Sequence, residues 1–464
     1  MFLVDFMLKL FSRLSALGSR VALQQWGISE ASLLFMATFM VSAALGIVRQ
    51  VLFNAQFGTG MQASAFYAAF RLPDTLTSLI AGGTLSNALI PVLARIHYTE
   101  GQHAEQRLMN LTFTAMLLMV VVITSLAALF APFFVRSILA PGFDEPTRAL
   151  TITLTRIMLL QAVLSVISSV IMAVLNSRRQ FMLSGLAIVC HNVAMISGIL
   201  AARWLPDLGI YGPTIGVIAD ALLQLLILWP GLAANKLHLR LLWHPHDIHL
   251  REVGRLLLPN GMSAGINYAG GIVDTAYASL AREAGSVAIL QNATLLIGLP
   301  IRLLGSAIGQ AAFPRMASHV AVGDNASLRR TILQTLLAAC GLSLPVIGAL
   351  LLGGRELIRL LFERGQFTAE AGTLTYTLLV AYVLALPAYV GTDILTRGLI
   401  ALHDTTTPLL TNILQLVLRL VLIIVLLDRE GVIAIPIAYA LSSVLETLSL
   451  GGLLWRKLAL QAAC

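Results

Sequence analysis

Runs of about twenty apolar residues follow one another almost without a break from residue 30 to the C-terminus, and that pattern constrains this chain more than anything else in it. A helix needs about 20 such residues to cross the ~30 Å hydrocarbon core of a bilayer. Of the 464 residues 58% are hydrophobic and 11% are charged, whereas a soluble domain carries about 25% charged residues. The chain therefore reads as an all-α polytopic membrane protein. Spans are expected at 30–53, 64–93, 108–138, 149–174, 182–203 and 209–232. After a polar connector they resume at 256–279, 287–313, 328–352, 371–399, 407–427 and 431–454.

Charge sets the expected orientation. With the N-terminus inside, Arg95, Arg107, Arg178, Arg179, Lys236, Arg240, Arg251, Arg255, Arg315, Arg329, Arg330, Arg456 and Lys457 fall at cytoplasmic ends, while the opposite loops are acid-balanced. That asymmetry is the positive-inside pattern, and it puts both termini in the cytoplasm. Residues 1–28, with Lys9, Arg13 and Arg20 among apolar neighbours, read as an amphipathic segment on the cytoplasmic surface. An N-lobe of six helices then covers 29–233, a cytoplasmic connector 234–255, and a C-lobe of six helices 256–464.

The two halves resemble each other. Gly82 and Pro91 match Gly305 and Pro314 at an offset of 223, and Val135–Leu139 matches Ile358–Phe362 at the same offset. Leu175, before the polar turn NSRRQ, pairs with Leu402, before HDTTTP, if the offset slips to 227. Six spans per repeat make the repeats parallel, an arrangement in which transporters bind substrate between halves around a central cavity.

Ionisable residues at membrane depth are costly and usually face a cavity or a partner. Arg49 and Arg71 lie in LGIVRQ and FRLPD, the second beside Pro73, and Arg302 lies in LPIRLLG. Cations on helices broken by glycine and proline suggest a cavity for an anion. For Arg49 the anion-facing role outweighs a structural salt bridge; Arg71 and Arg302 could equally snorkel from helix ends. Arg397, near a polar turn, reads as an interface anchor. Asp274 is open between a coupling-ion ligand and a helix–helix contact, whereas Asp220 and Glu446 read as packing or internal pairs. His191, beside Asn192, reads as an interhelical hydrogen bond.

No P-loop is present, so no ATP engine is expected, and three scattered cysteines fit neither a disulfide framework nor a metal cluster. HPHDIH in the connector reads as a solvated loop rather than a metal site. The net charge of +8 is dispersed and gives no nucleic-acid footprint.

Several motifs in order along the chain resemble the MurJ/MviN family of lipid II flippases, within the multidrug/oligosaccharidyl-lipid/polysaccharide exporter superfamily. They are LGIVRQ at 45–50, FGTGMQASAFYAAFRLP at 57–73, GGTLSNALIPVLAR at 82–95, LAPGF at 139–143, VLNSRRQF at 174–181, LLFERGQFT at 360–368 and ALHDTTTP at 401–408. The resemblance implies a two-lobed bundle in the bacterial inner membrane that moves undecaprenyl-diphosphate-linked peptidoglycan precursor, or a close relative, outward by alternating access. Its partners would be the lipid-linked glycan, membrane lipids and other cell-wall synthesis proteins. Arg49 matches the family's essential first-helix arginine, and Arg71 a position where lysine or arginine is common. Asp274 matches a seventh-helix sodium ligand of some members, and Asn412 an eleventh-helix one. Ala43, Thr77 and Leu295 stand where the family carries arginines, Ser64 and Gly82 where it carries acids, and Leu416 where an acidic companion of Asn412 is expected. The family usually has fourteen spans, against the twelve expected here. With no cofactor implied, energy would come from the membrane potential or from a Na+ or H+ gradient. The alternatives are export of another polyprenyl-linked polysaccharide or a drug, and a non-transporting scaffold for envelope synthesis.

Overall fold

A computed structural model describes residues 27–80 and 83–463, so the amphipathic segment expected at 1–28 lies almost wholly outside the described residues. The described chain is helical throughout. The first half comprises α1 (Ile28–Phe57), α2 (Met61–Ile80), α3 (Gly83–Thr99), α4 (Gln102–Leu129), α5 (Glu145–Ser177), α6 (Met182–Trp204) and α7 (Tyr211–Ala234). The second comprises α8 (Ile248–Leu280), α9 (Ser286–Pro300), α10 (Ile308–Ala321), α11 (Asn325–Phe362), α12 (Ala369–Leu384), α13 (Leu386–Ala401), α14 (Thr406–Glu430) and α15 (Ala434–Ala463). Taking α2–α3, α9–α10 and α12–α13 as single rods, each half holds six rods among the described residues.

Eight stretches among the described residues are long and apolar enough to span a membrane, or nine if α12 and α13, bent by 46°, are one span. The last stretch, Thr406–Leu460, runs through both α14 and α15. Among the described residues α2, α3 and α8 are not in these stretches; the apolar part of α8 is diluted by glycine, asparagine, serine and tyrosine, as in NGMSAGINYAGG at 260–271.

The α9–α10 rod passes through a π-helical segment, Ile301–Ala307. Val135–Leu139 is also π-helical, and it repeats the burial of Ile358–Phe362, with Val135 and Ile358 buried at one end, Leu139 and Phe362 at the other, and Arg136 and Arg359 exposed.

One sequence match is corrected. The turn after α5 places Arg179 at φ 62°, and the turn after α13 places His403 at φ 58°. Gln180 N bonds Leu175 O at 2.9 Å, and Asp404 N bonds Leu399 O at 2.9 Å. Leu175 therefore corresponds to Leu399, at an offset of 224, and not to Leu402. The left-handed residue and its six-to-one bond fix helix ends more sharply than side-chain likeness does.

The connector is also shorter than expected. Asp247 Oδ1 accepts from His249 N at 3.1 Å and from Leu250 N at 3.4 Å, capping α8. A capped helix begins where its first amides find an acceptor, so the polar letters after Asp247 are helical. The extended part lies along α4 (Gln102–Leu129). Gln102 Nε2 donates to Asn235 O at 2.9 Å, and Gln106 both donates to His238 O at 2.5 Å and accepts from His238 N at 3.0 Å. Asn110 accepts from Arg240 N at 3.0 Å, and Thr114 from Leu242 N at 2.8 Å. Polar side chains four apart on one helix thus take the place of a neighbouring strand.

Two compact units emerge within the described residues. Unit 1 comprises 27–56, 68–137 and 145–268, and unit 2 comprises 57–67, 138–144 and 269–463. In unit 1 the core joins Leu85, Leu89, Leu93 and Ile96 to Leu108, Met109, Val166, Val170, Val174, Leu228 and Leu232, all at helical spacing. Glu105, fully buried, is held there by Arg178 at 2.9 and 2.5 Å and by His97 at 2.7 Å.

In unit 2, Gly58 (φ 58°) lies so close to the Gln366 carbonyl that a Cβ would sit 2.4 Å from it. A Cβ on Gly142 would meet Ser279 O at 2.1 Å. These contacts account for Gly58 of FGTG and Gly142 of LAPGF: backbone meets backbone, which only a residue without a side chain permits.

Candidate functional site

Arg49 lies in the C-terminal third of α1 and is half-buried. Its Nη1 is 2.9 Å from His191 Nε2 on α6, and His191 Nδ1 is 2.9 Å from Asp220 Oδ2 on α7. Gln224, one turn further along α7, donates to Asp220 Oδ1 at 2.8 Å. The network assigns the proton: Nδ1–H donates to the buried carboxylate, which leaves Nε2 to accept from the guanidinium. The imidazole in this tautomer is neutral, so it aims Arg49 without adding a charge. Asn192, next in sequence, donates to Ser42 O and to Ser42 Oγ, both at 2.9 Å, and fastens α6 to α1 below the arginine. The pair His191–Asn192 makes the interhelical bonds the sequence suggested, and Asp220 makes the internal pair.

Arg71 is half-buried near the middle of α2, with Pro73 two residues on. Proline has no N–H to donate to the Ala69 carbonyl one turn back, and beside it Thr75 Oγ1 donates to the Arg71 carbonyl at 2.7 Å. Asp74 lies one turn from Arg71 on α2 and is half-buried. The structure thus brings Arg49, His191 and Asp220 together in unit 1, and places Arg71 and Asp74 on α2 of the same unit. Two arginines, two carboxylates and one imidazole are gathered there on four different helices, α1, α2, α6 and α7.

The remaining expected residues lie in unit 2. Arg302 is exposed on the π-helical segment after α9. Asp393 and Arg397 pair at 3.3 Å along α13, and Arg397 lies against Gly309, so Arg397 is a packing group rather than an interface anchor. Asn412 is half-buried on α14. Asp274, buried on α8, is ion-paired and hydrogen-bonded to Arg419, also buried, two turns beyond Asn412.

Arg419 is a residue that family positions do not reveal, because they direct attention to Leu416. The signal was nonetheless present: an arginine inside VLRLVLIIVLL, in phase with Thr411 and Gln415, both of which are buried with it. His191 and Asp220 were visible as polar residues but not as the support of Arg49, since they sit on helices far apart in sequence.

The family model described as "Lipid II flippase MurJ" matches residues 53–463. The chain belongs to this family. Among MurJ relatives, the "Probable lipid II flippase MurJ" of Rhizobium meliloti is 30% identical over 378 residues, covering 80% of this chain and 70% of that protein. The "Lipid II flippase MurJ" of Burkholderia cenocepacia is 28% identical over 378 residues, covering 80% and 72%. A solved structure of "Lipid II flippase MurJ, inward closed conformation" shares the fold with a TM-score of 0.78 at 20% identity, covering 90% of this chain and 86% of that one. An inward-facing multidrug resistance MATE transporter also reaches 0.78, at 14% identity, covering 93% and 99%. MurJ membership makes this chain a transporter and not an enzyme.

Proposed function

We propose that this chain is a lipid II flippase of the bacterial inner membrane, with both termini cytoplasmic, and that Arg49 and Arg71 hold the diphosphate of the lipid-linked precursor. The observation that carries the site is the aimed guanidinium of Arg49. Its contact with a neutral imidazole, held by Asp220, which in turn accepts from Gln224, fixes the side chain before substrate arrives. A guanidinium offers five donors in a planar fork that suits phosphate oxygens. Holding it in place reduces the ordering cost at binding.

Asp74, one turn from Arg71 on α2, would serve Arg71 as a local counter-charge. An arriving diphosphate competes with that carboxylate for the guanidinium, so binding need not leave a bare cation behind. The sugar–peptide head would follow the diphosphate while the polyprenyl tail stays in lipid, and alternating access would release the head at the far leaflet. The driving energy is taken from the membrane potential or an ion gradient. The lipid surroundings and other cell-wall synthesis proteins are its expected partners.

Complementation tests this. A strain depleted of its own lipid II flippase is supplied with wild type or Arg49→Ala at matched expression. Rescue by wild type and failure of Arg49→Ala is the expected result. Equal rescue would keep transport and remove the site; no rescue by a correctly inserted wild type would remove lipid II as substrate.

A further inference from the structure

The family resemblance implies a sodium ligand at Asp274, and the residues around it do not fit one. The Asp274 carboxylate is bound by the guanidinium of Arg419, and both side chains are buried. The Cζ of Arg419 stands 4.2 Å from the centroid of the Tyr439 ring, whose π-face attracts a cation. Tyr389 stacks on Tyr439 at 4.7 Å between centroids, and Tyr382 meets it edge-on at 6.0 Å.

The site is also built to admit the guanidinium. Gly270 lies one turn before Asp274 on α8, and a Cβ there would come within 3.0 Å of Arg419 Nη1. On α14 the neighbouring residue one turn before Arg419 is Leu416, an alkyl group that can coordinate nothing. The carboxylate is thus held by a guanidinium that itself lies on an aromatic face, with a leucine beside Gly270 one turn away. An inorganic cation entering here would have to share one carboxylate with a fixed positive charge at contact distance.

We infer that Arg419 is the resident cation of this site, and that this chain works without sodium binding at Asp274. The assignment deepens the flippase reading and rests on it only for its consequence in transport. The protein supplies from its own Arg419 side chain a charge that would otherwise have to come from solution, so the site's state cannot report a sodium gradient.

The test reads thermal stability, which does not depend on the identity of the lipid. Melting of the purified full-length protein is compared in sodium chloride and in choline chloride at equal ionic strength. Wild type should melt at the same temperature in both. Arg419→Ala, with the carboxylate uncovered, should melt lower in choline and rise in sodium. The double variant Asp274→Asn/Arg419→Gln, which removes both charges, should again be indifferent to sodium. A sodium-dependent rise in wild type that the double variant lacks would overturn the inference. So would an Arg419→Ala protein that folds and ignores sodium. If Arg419→Ala does not fold, wild type against the double variant decides. Wild type that fails complementation but shows no sodium response would sink the flippase reading and leave this assignment standing.

Discussion

Arg49 in unit 1 and Arg419 in unit 2 are both arginines within apolar helices, yet their surroundings differ in kind. Arg49 is half-buried and held by a neutral imidazole, with the carboxylate of Asp220 one group further back. Arg419 is buried, touches its carboxylate directly and lies over an aromatic ring. The first arrangement orients a charge and keeps it available; the second consumes it. What separates a binding arginine from a structural one is therefore the distance and protonation of its partner, not its depth in the membrane.

The comparison breaks most visibly if the consumed charge is removed. Breaking a buried pair by deleting one partner costs about 3–5 kcal/mol, because the other charge is left uncompensated. Arg419→Ala should therefore lower thermal stability in choline strongly, while Arg49→Ala should leave melting near wild type. Similar melting curves for the two variants would erase the distinction.

The next effect is on transport. Hydrogen bonds to charged groups contribute about 1.5–3 kcal/mol, so Arg49→Ala should weaken lipid II binding by about ten- to a hundredfold in a binding assay on purified protein. Arg49→Lys should recover only part of this, because an ammonium lacks the fork that serves imidazole and phosphate together. Full recovery by lysine would mean that charge alone matters there.

A smaller effect is expected one step back. Asp220→Asn keeps a polar group near His191 but removes the carboxylate that fixes its tautomer. One ordinary hydrogen bond is worth about 1 kcal/mol, so lipid binding should fall about five-fold with little change in melting. A loss as large as that of Arg49→Ala would show that Asp220 does more than position.

The smallest concerns Asp404, in the turn before α14. Burial pushes its carboxyl up, but the amide and hydroxyl of Thr407 and the ammonium of Lys457 outweigh this and bring it to about 2. The folded carboxyl is thus more acidic than the ordinary value of 3.8. Its contribution is full above that value and is lost as pH falls through about 2. Asp404→Ala should cost about 1 kcal/mol near neutrality, the usual loss for a helix cap. Melting of the variant and wild type should converge in strong acid; a constant gap would show that the carboxylate's charge is not what caps α14.

Much of the fold was legible because a bilayer makes hydropathy and span length nearly sufficient. The apolar runs predicted the helical rods in order. Arg49 and Arg71 were legible as candidates for the same reason, since charge in an apolar run is conspicuous and expensive. The offset at Leu175 was misread because side-chain likeness was used where a left-handed turn decides.

What the chain's letters determined, then, is which segments enter the membrane and which of them carry charge at depth, because both follow from local transfer energies. Tertiary structure alone decided what each charge is for. His191 and Asp220 lie 142 and 171 residues beyond Arg49, and Arg419 lies 145 residues beyond Asp274. No local pattern joins such positions. Only packing of the helices puts a neutral imidazole beside one arginine and a carboxylate and a tyrosine ring beside the other.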